Sequence, residues 1–136
     1  MTGSTAKPLA LVTGVGPGTG AAVSRRFAEG GYRVAMLARN AERLDALEKE
    51  IPGLIAVPCD VSDAAALERA IARVGPPKVV VHNAVGGAFG TFMQVEAEVL
   101  QRNFETNTMA LFHLARLTAP ALVAAAQGAL IVTGVF

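Results

Sequence analysis

Apolar positions along the chain alternate between two periods. Leu9–Thr13 is a short apolar run ending at Gly14, which predicts a buried strand. A glycine-rich turn follows, then a helical stretch, Ala21–Glu29, with Val23 and Phe27 four apart and Gly30-Gly31 as its stop. Val34–Ala38 is the second strand. Asn40 caps a helix whose Leu44, Leu47 and Ile51 form one stripe, broken by Pro52-Gly53. Leu54–Val57 predicts a third strand, and Ser62 or Asp63 caps the next helix. Leu67, Ala70, Ile71 and Val74 line that helix before Gly75-Pro76-Pro77 ends it. Val79–Val81 is an uninterrupted β-branched strand. A loop around Gly86–Thr91 leads into a long helical region from about Glu96 to Ala126, and Ala129–Thr133 is a fifth strand.

Five apolar strands separated by helices imply a parallel sheet covered on both faces. Right-handed crossovers make it a doubly wound, Rossmann-like α/β sheet with strand order 3-2-1-4-5. Residues 1–136 read as one dinucleotide-binding domain, or the first part of one, cut off after the fifth strand.

Composition narrows the setting. Of 136 residues, 52% are hydrophobic and 17% charged, which excludes a disordered tail. One cysteine excludes a disulfide framework and a multi-cysteine metal site, and it fits a reducing, cytoplasmic environment. Twelve basic against eleven acidic residues give a net charge of +1, so no nucleic-acid partner is expected. Met1–Lys7 is short and polar, unlike a secretory leader. Thr108–Ala126 approaches the length of a membrane span, but it contains His113, Arg116 and Pro120. An arginine at mid-bilayer costs about 2.5–3.5 kcal/mol, so a buried helix of a soluble protein is the expectation.

The first strand-to-helix turn reads Thr13-Gly14-Val15-Gly16-Pro17-Gly18-Thr19-Gly20. Gly14, Gly18 and Gly20 stand where a backbone must turn sharply, approach a phosphate and let a helix pack on the sheet. The following helix start offers unpaired N–H groups and a positive dipole end to a pyrophosphate. A second frame, from Gly16 to Ala21, also fits G-x-G-x-x-A. Both point to a dinucleotide. At the end of the second strand, NAD sites commonly place an acidic residue to hold the ribose 2′-OH. Arg39 stands there instead, 19 residues after Gly20. A guanidinium suits a 2′-phosphate, which favours NADP over NAD.

With these motifs in place, the chain resembles the short-chain dehydrogenase/reductase family. Thr13-Gly14-x-x-x-Gly18-x-Gly20 matches that family's T-G-x-x-x-G-x-G turn. Asp60-Val61 resembles the acidic pair that contacts the adenine ring. His82-Asn83-Ala84-Val85 stands where the family has N-N-A-G, and Asn107, 24 residues past Asn83, matches its active-site Asn. The resemblance implies Thr13, Gly14, Gly16, Gly18, Thr19, Gly20, Arg39, Asp60, Val61, Asn83, Ala84 and Val85 as cofactor-binding residues. It implies Asn107 as the catalytic one, in a proton relay. It also implies hydride transfer between nicotinamide and a small-molecule carbonyl or alcohol.

Two departures bear on that activity. His82 and Val85 replace the first Asn and the Gly of N-N-A-G, with Gly86-Gly87 following at once. The family's Ser after strand five and its Tyr-x-x-x-Lys are absent, since the sequence reads Thr133-Gly134-Val135-Phe136 where the Ser is expected. Tyr32, the one tyrosine, precedes the second strand and cannot substitute. The chain alone is therefore expected to be inactive, with a non-catalytic dinucleotide-binding module or a truncated, inactive product as alternatives.

Other chemistry is weaker. Cys59 and His82 end strands three spacings apart, roughly 14 Å, whereas a nucleophile and its base need about 3 Å. Cys59 reads as a small buried residue and His113 as a hydrogen-bonded packing residue. Phe104, Met109, Leu111, Phe112, Leu114, Leu117 and Leu122 make the long helix apolar on more than one face. Such a helix needs cover on both sides, so a homo-oligomer is expected.

Overall fold

In a computed structural model the described residues are 6–134. Met1–Thr5, part of the leader reading, and Val135-Phe136, beside the sought Ser, lie outside them. The elements run β1 Leu9–Thr13, α1 Thr19–Glu29, β2 Arg33–Ala38, α2 Ala41–Glu50, β3 Leu54–Pro58 and α3 Ala64–Val74. They continue with β4 Val79–His82, α4 Ala97–Phe104, a π turn at Glu105–Met109, α5 Ala110–Ala125 and β5 Ala129–Val132. All neighbouring strands are parallel, in the order β3-β2-β1-β4-β5. This is the doubly wound, Rossmann-like sheet expected from the sequence.

Strand alternation divides the core in two. Leu9, Leu11, Leu37, Val57 and Val80 face one side, where Leu67, Ala70 and Ile71 of α3 and Ala110 and Leu114 of α5 cover them. Ala10, Val12, Val34, Met36, Val79 and Val81 face the other, against Ala21 of α1 and Leu44 and Leu47 of α2. A strand buried on both faces has no polar side, which is why β1, β2 and β4 read as continuous apolar runs. The caps are local. Asn40 Oδ1 accepts the Arg43 N–H at 2.9 Å, and Asp63 Oδ1 accepts that of Ala66 at 3.0 Å. Of the two candidates, Asp63 is thus the cap of α3.

Two elements differ from the sequence reading. Helix α1 begins at Thr19, two residues before Ala21, because Thr19 and Gly20 contribute no apolar repeat that would reveal the first turn. The long helix is interrupted: Ala110 N–H bonds Glu105 O, five residues back, widening one turn. It also buries one stripe rather than its whole circumference. Ala110, Leu114 and Thr118 are buried, the first two in the cluster with the strands, whereas Phe112 and Val123 are exposed. The 29-residue helix Ala97–Ala125 is long and apolar enough to cross a membrane by composition, yet that stripe is committed to the sheet. At the edge, β5 pairs with β4 alone and Leu130, Ile131 and Val132 are exposed.

Leu114→Ala is expected to lower stability by about 3 kcal/mol through the cavity it leaves. Val123→Ala, on the exposed face, should change it by less than about 0.5 kcal/mol. Urea denaturation of both variants measures the difference.

Candidate functional site

The carboxyl ends of the strands open into a groove of about 1090 Å³. It lies across the point where the chain order reverses, between β1 and β4, where ligands of open α/β sheets bind. Gly14, Gly16, Gly18, Thr19, Gly20, Arg39, Asp60, Val61, Asn83, Ala84 and Val85 all line it. Thr13 and Asn107 do not. They act from behind it.

The glycines of the turn do different work. Gly14 has φ +69°, and a Cβ there would meet Ala84 Cα and N at 2.5 Å. A Cβ on Gly20 would lie 2.4 Å from Gly14 O, so α1 is folded tightly onto the turn. Gly16 and Gly18 have nothing within 4 Å of such an atom and face the open groove. Gly18 begins the 11-residue α1 without a side-chain cap, so the positive end of that helix is directed at the groove.

Behind the turn, the fully buried Thr13 joins β1 to β4. Its Oγ1 accepts the N–H groups of Asn83 at 3.1 Å and Ala84 at 3.2 Å, and pairs with His82 Nδ1 at 3.0 Å. Asn83 extends the connection. Its Nδ2 donates to Gly14 O at 3.0 Å, and its Oδ1 accepts from Thr133 Oγ1 at 2.8 Å.

One wall carries charge. Arg39, Asn40 and Arg43 follow β2, opposite Asp60, Val61 and Ser62 after β3. Asp60 Oδ1 accepts Ser62 Oγ at 2.7 Å and Ser62 N at 3.0 Å. Those hydrogen bonds, with a smaller contribution from the Arg39 charge, hold the Asp60 carboxyl below its ordinary value. Cys59 beneath them is buried, and desolvation first, then Asp60 and Asp63, push its thiol up to about 11. Three strand spacings separate its strand from that of His82, which excludes a thiol–imidazole pair.

At the other end, Asn107 lies in the π turn and grips one residue at two points. Its Oδ1 accepts the Gly86 N–H at 2.7 Å and its Nδ2 donates to Gly86 O at 2.9 Å. A Cβ on Gly86 would stand 2.6 Å from Asn103 Oδ1. That oxygen ends a flexible side chain and can turn aside, while Asn103 Cα would stand at 3.2 Å, so the crowding one residue after Val85 is moderate. His113 is half-buried and edge-on to the exposed Phe112, and it makes no hydrogen bond among the described residues.

Arg43, Asn103 and Thr133 line the groove without having been expected there from sequence, and so does Ser62, which was read only as a possible cap. Asn103 was within reach, since it precedes Asn107 by four and so shares its helix face. Thr133 had no such signal.

Comparison with known proteins agrees with this geometry. The family model for short chain dehydrogenase matches residues 8–135. D-erythrulose reductase of Gallus gallus is 36% identical over 115 residues, covering 85% of this chain and 47% of the relative. A metagenomic short-chain oxidoreductase in complex with NADP superposes with a TM-score of 0.85 at 34% identity, covering 92% of this chain and 61% of that one. The 3-ketoacyl-(acyl-carrier-protein) reductase of Brucella melitensis, complexed with NADH, gives 0.80 at 27% identity, covering 92% and 55%. The chain belongs to the short-chain dehydrogenase family. It spans about half the length of the curated relatives it matches.

Gly14→Ala should strongly destabilise the fold, because its Cβ would collide with backbone and its φ is left-handed. Gly18→Ala should shift the thermal midpoint by no more than a few degrees, since its Cβ meets nothing. Differential scanning fluorimetry of the two variants checks the contrast.

A pH dependence follows from His82. Burial lowers its pKa from the ordinary 6.5, partly offset by backbone groups of Asn107 and Thr106. The stability contributed by the neutral ring is then present above pH 6.5 and lost as pH falls below it towards the folded-state value. Denaturant midpoints measured from pH 7.5 down to 5 should fall, and His82→Asn should flatten that slope.

Proposed function

We propose that this chain is the NADP(H)-binding portion of a cytoplasmic oxidoreductase that transfers hydride between nicotinamide and a small-molecule carbonyl or alcohol. The observation that carries it is the opening above Gly16 and Gly18, at an α1 N-terminus that no side chain caps. A pyrophosphate fits that opening, and a Cβ would intrude on it. Arg39, with Arg43 beside it, would hold a ribose 2′-phosphate, and Asp60-Val61 would take the adenine. Preference for NADP over NAD rests on Arg39 rather than on family membership, since the similar structures include both NADP and NADH complexes.

Bound in this way, the nicotinamide would supply or accept hydride at the end of the groove nearest Asn107. The residues present bind and orient there: Asn107 fixes the loop through Gly86, and Asn83 ties that loop to Gly14. Among the described residues none is placed as a general acid for the reacting oxygen, so turnover is proposed only for a protein that also carries the family's Ser and Tyr-x-x-x-Lys. The exposed face of α4 and α5 and the open β5 edge fit further protein cover, including a second copy.

Titration of the 136-residue chain with NADPH and NADH, read by calorimetry, tests the reading. NADPH is expected to bind more tightly than NADH, and Arg39→Asp to weaken NADPH by about tenfold or more while leaving NADH little changed. Binding of neither dinucleotide would defeat the cofactor reading. Tighter binding of NADH would defeat the role given to Arg39 alone.

A further inference from the structure

His82 ends β4 at 2% exposure, in the place of the first Asn of N-N-A-G, and it does not line the groove. Its protonation can be assigned from its neighbours. The Thr13 hydroxyl oxygen has two lone pairs, and the N–H groups of Asn83 and Ala84 occupy them. Its single proton therefore points at His82 Nδ1, 3.0 Å away, and Nδ1 is an acceptor. A neutral imidazole whose Nδ1 accepts carries its proton on Nε2.

That buried Nε2–H has no hydrogen-bond partner among the described residues. His82 lies two residues beyond Val80 and so on the same face of β4, the face that Ala110 and Leu114 cover, and Thr106 and Asn107 lie about one turn before Ala110 on that covering helix. Both residues belong to the π turn. There, Ala110 N–H reaches back five residues to Glu105 O. Return to four-residue bonding in α5 leaves one carbonyl of the turn without a helical N–H. A buried donor that lacks an acceptor thus faces a turn with an acceptor to spare.

We propose that His82 is a positioning residue: with its tautomer set by Thr13, it turns its Nε2–H toward the spare π-turn carbonyl and thereby keeps Asn107 against Gly86. The connection runs from the glycine-rich turn, through Thr13 and His82, to the far end of the groove. Leucine at this position would strand the Thr13 hydroxyl and the π-turn carbonyl together. Asparagine would return one acceptor and one donor.

Nitrogen-15 spectra of the histidine rings in the 136-residue chain report the tautomer. His82 is expected neutral at pH 7.5 with its proton on Nε2 and shielded from exchange. A proton on Nδ1 overturns the proposal, and this measurement needs no variant that might fail to fold. In His82→Leu, hydrogen exchange of the Asn107 side-chain amide should quicken by about tenfold or more, and His82→Asn should recover most of that protection. Unchanged Asn107 protection in a folded His82→Leu chain also overturns it. NADPH affinity, expected to fall about tenfold in His82→Leu, is the one readout that rests on the dinucleotide reading. The expected tautomer and amide exchange without any NADPH binding would support the role of His82 and defeat the cofactor assignment.

Discussion

One buried hydroxyl holds the site together. Thr13 Oγ1 takes the backbone N–H groups of Asn83 and Ala84 and pairs with His82, joining the end of β1 to the end of β4. These strands part at the topological switch, where the chain turns one way to β2 and the other way to β5. Without a link there, two loops with few apolar contacts would face each other across a gap. With it, Gly14 can lie against Ala84 more closely than any side chain would allow, and Asn83 can reach both Gly14 O and Thr133. The shape of the groove follows from that closure.

The two halves of the groove have different physical character. The half formed by the glycine turn, Arg39 and Asp60 is built from local features: a helix start, a strand end and an Asx-type turn closed by Ser62. Each can be read from a few neighbouring residues. The half formed by Asn83, Gly86, Asn103 and Asn107 depends on contacts between segments 21 to 69 residues apart. Here a widened helical turn rather than a loop presents the polar side chain. Such a turn sacrifices regular bonding, and in this chain the exchange sets Asn107 at two-point reach of Gly86.

The uncovered surfaces have one origin. β5 is an edge strand paired on one side, and α5 buries only the stripe that meets the sheet. Both are as apolar in sequence as elements buried on all sides, so their patterning anticipates more cover than the described residues provide. A chain that spans about half of its relatives' length is consistent with that excess.

Much of this was legible in the sequence because it is enforced locally. Periodicity located every strand and helix, since apolar spacing must match the element that buries it. The caps at Asn40 and Asp63, the glycine cluster and Arg39 could be recognised because their partners lie within a few residues or on a fixed scaffold. What no local pattern could supply was the division of labour among the glycines: Gly14 and Gly20 packed against backbone, Gly16 and Gly18 left open. Nor could it show that Asn107 holds Gly86 at two points, that Thr133 joins Asn83, or that the long helix widens at Asn107. Those features depend on which backbone atoms meet after the sheet has closed. Sequence determined the fold and the chemical types along the groove, because burial and capping act over one or two turns. Tertiary structure alone decided which of those groups line the groove and which hold it in shape, because that is set by distances between segments far apart in the chain.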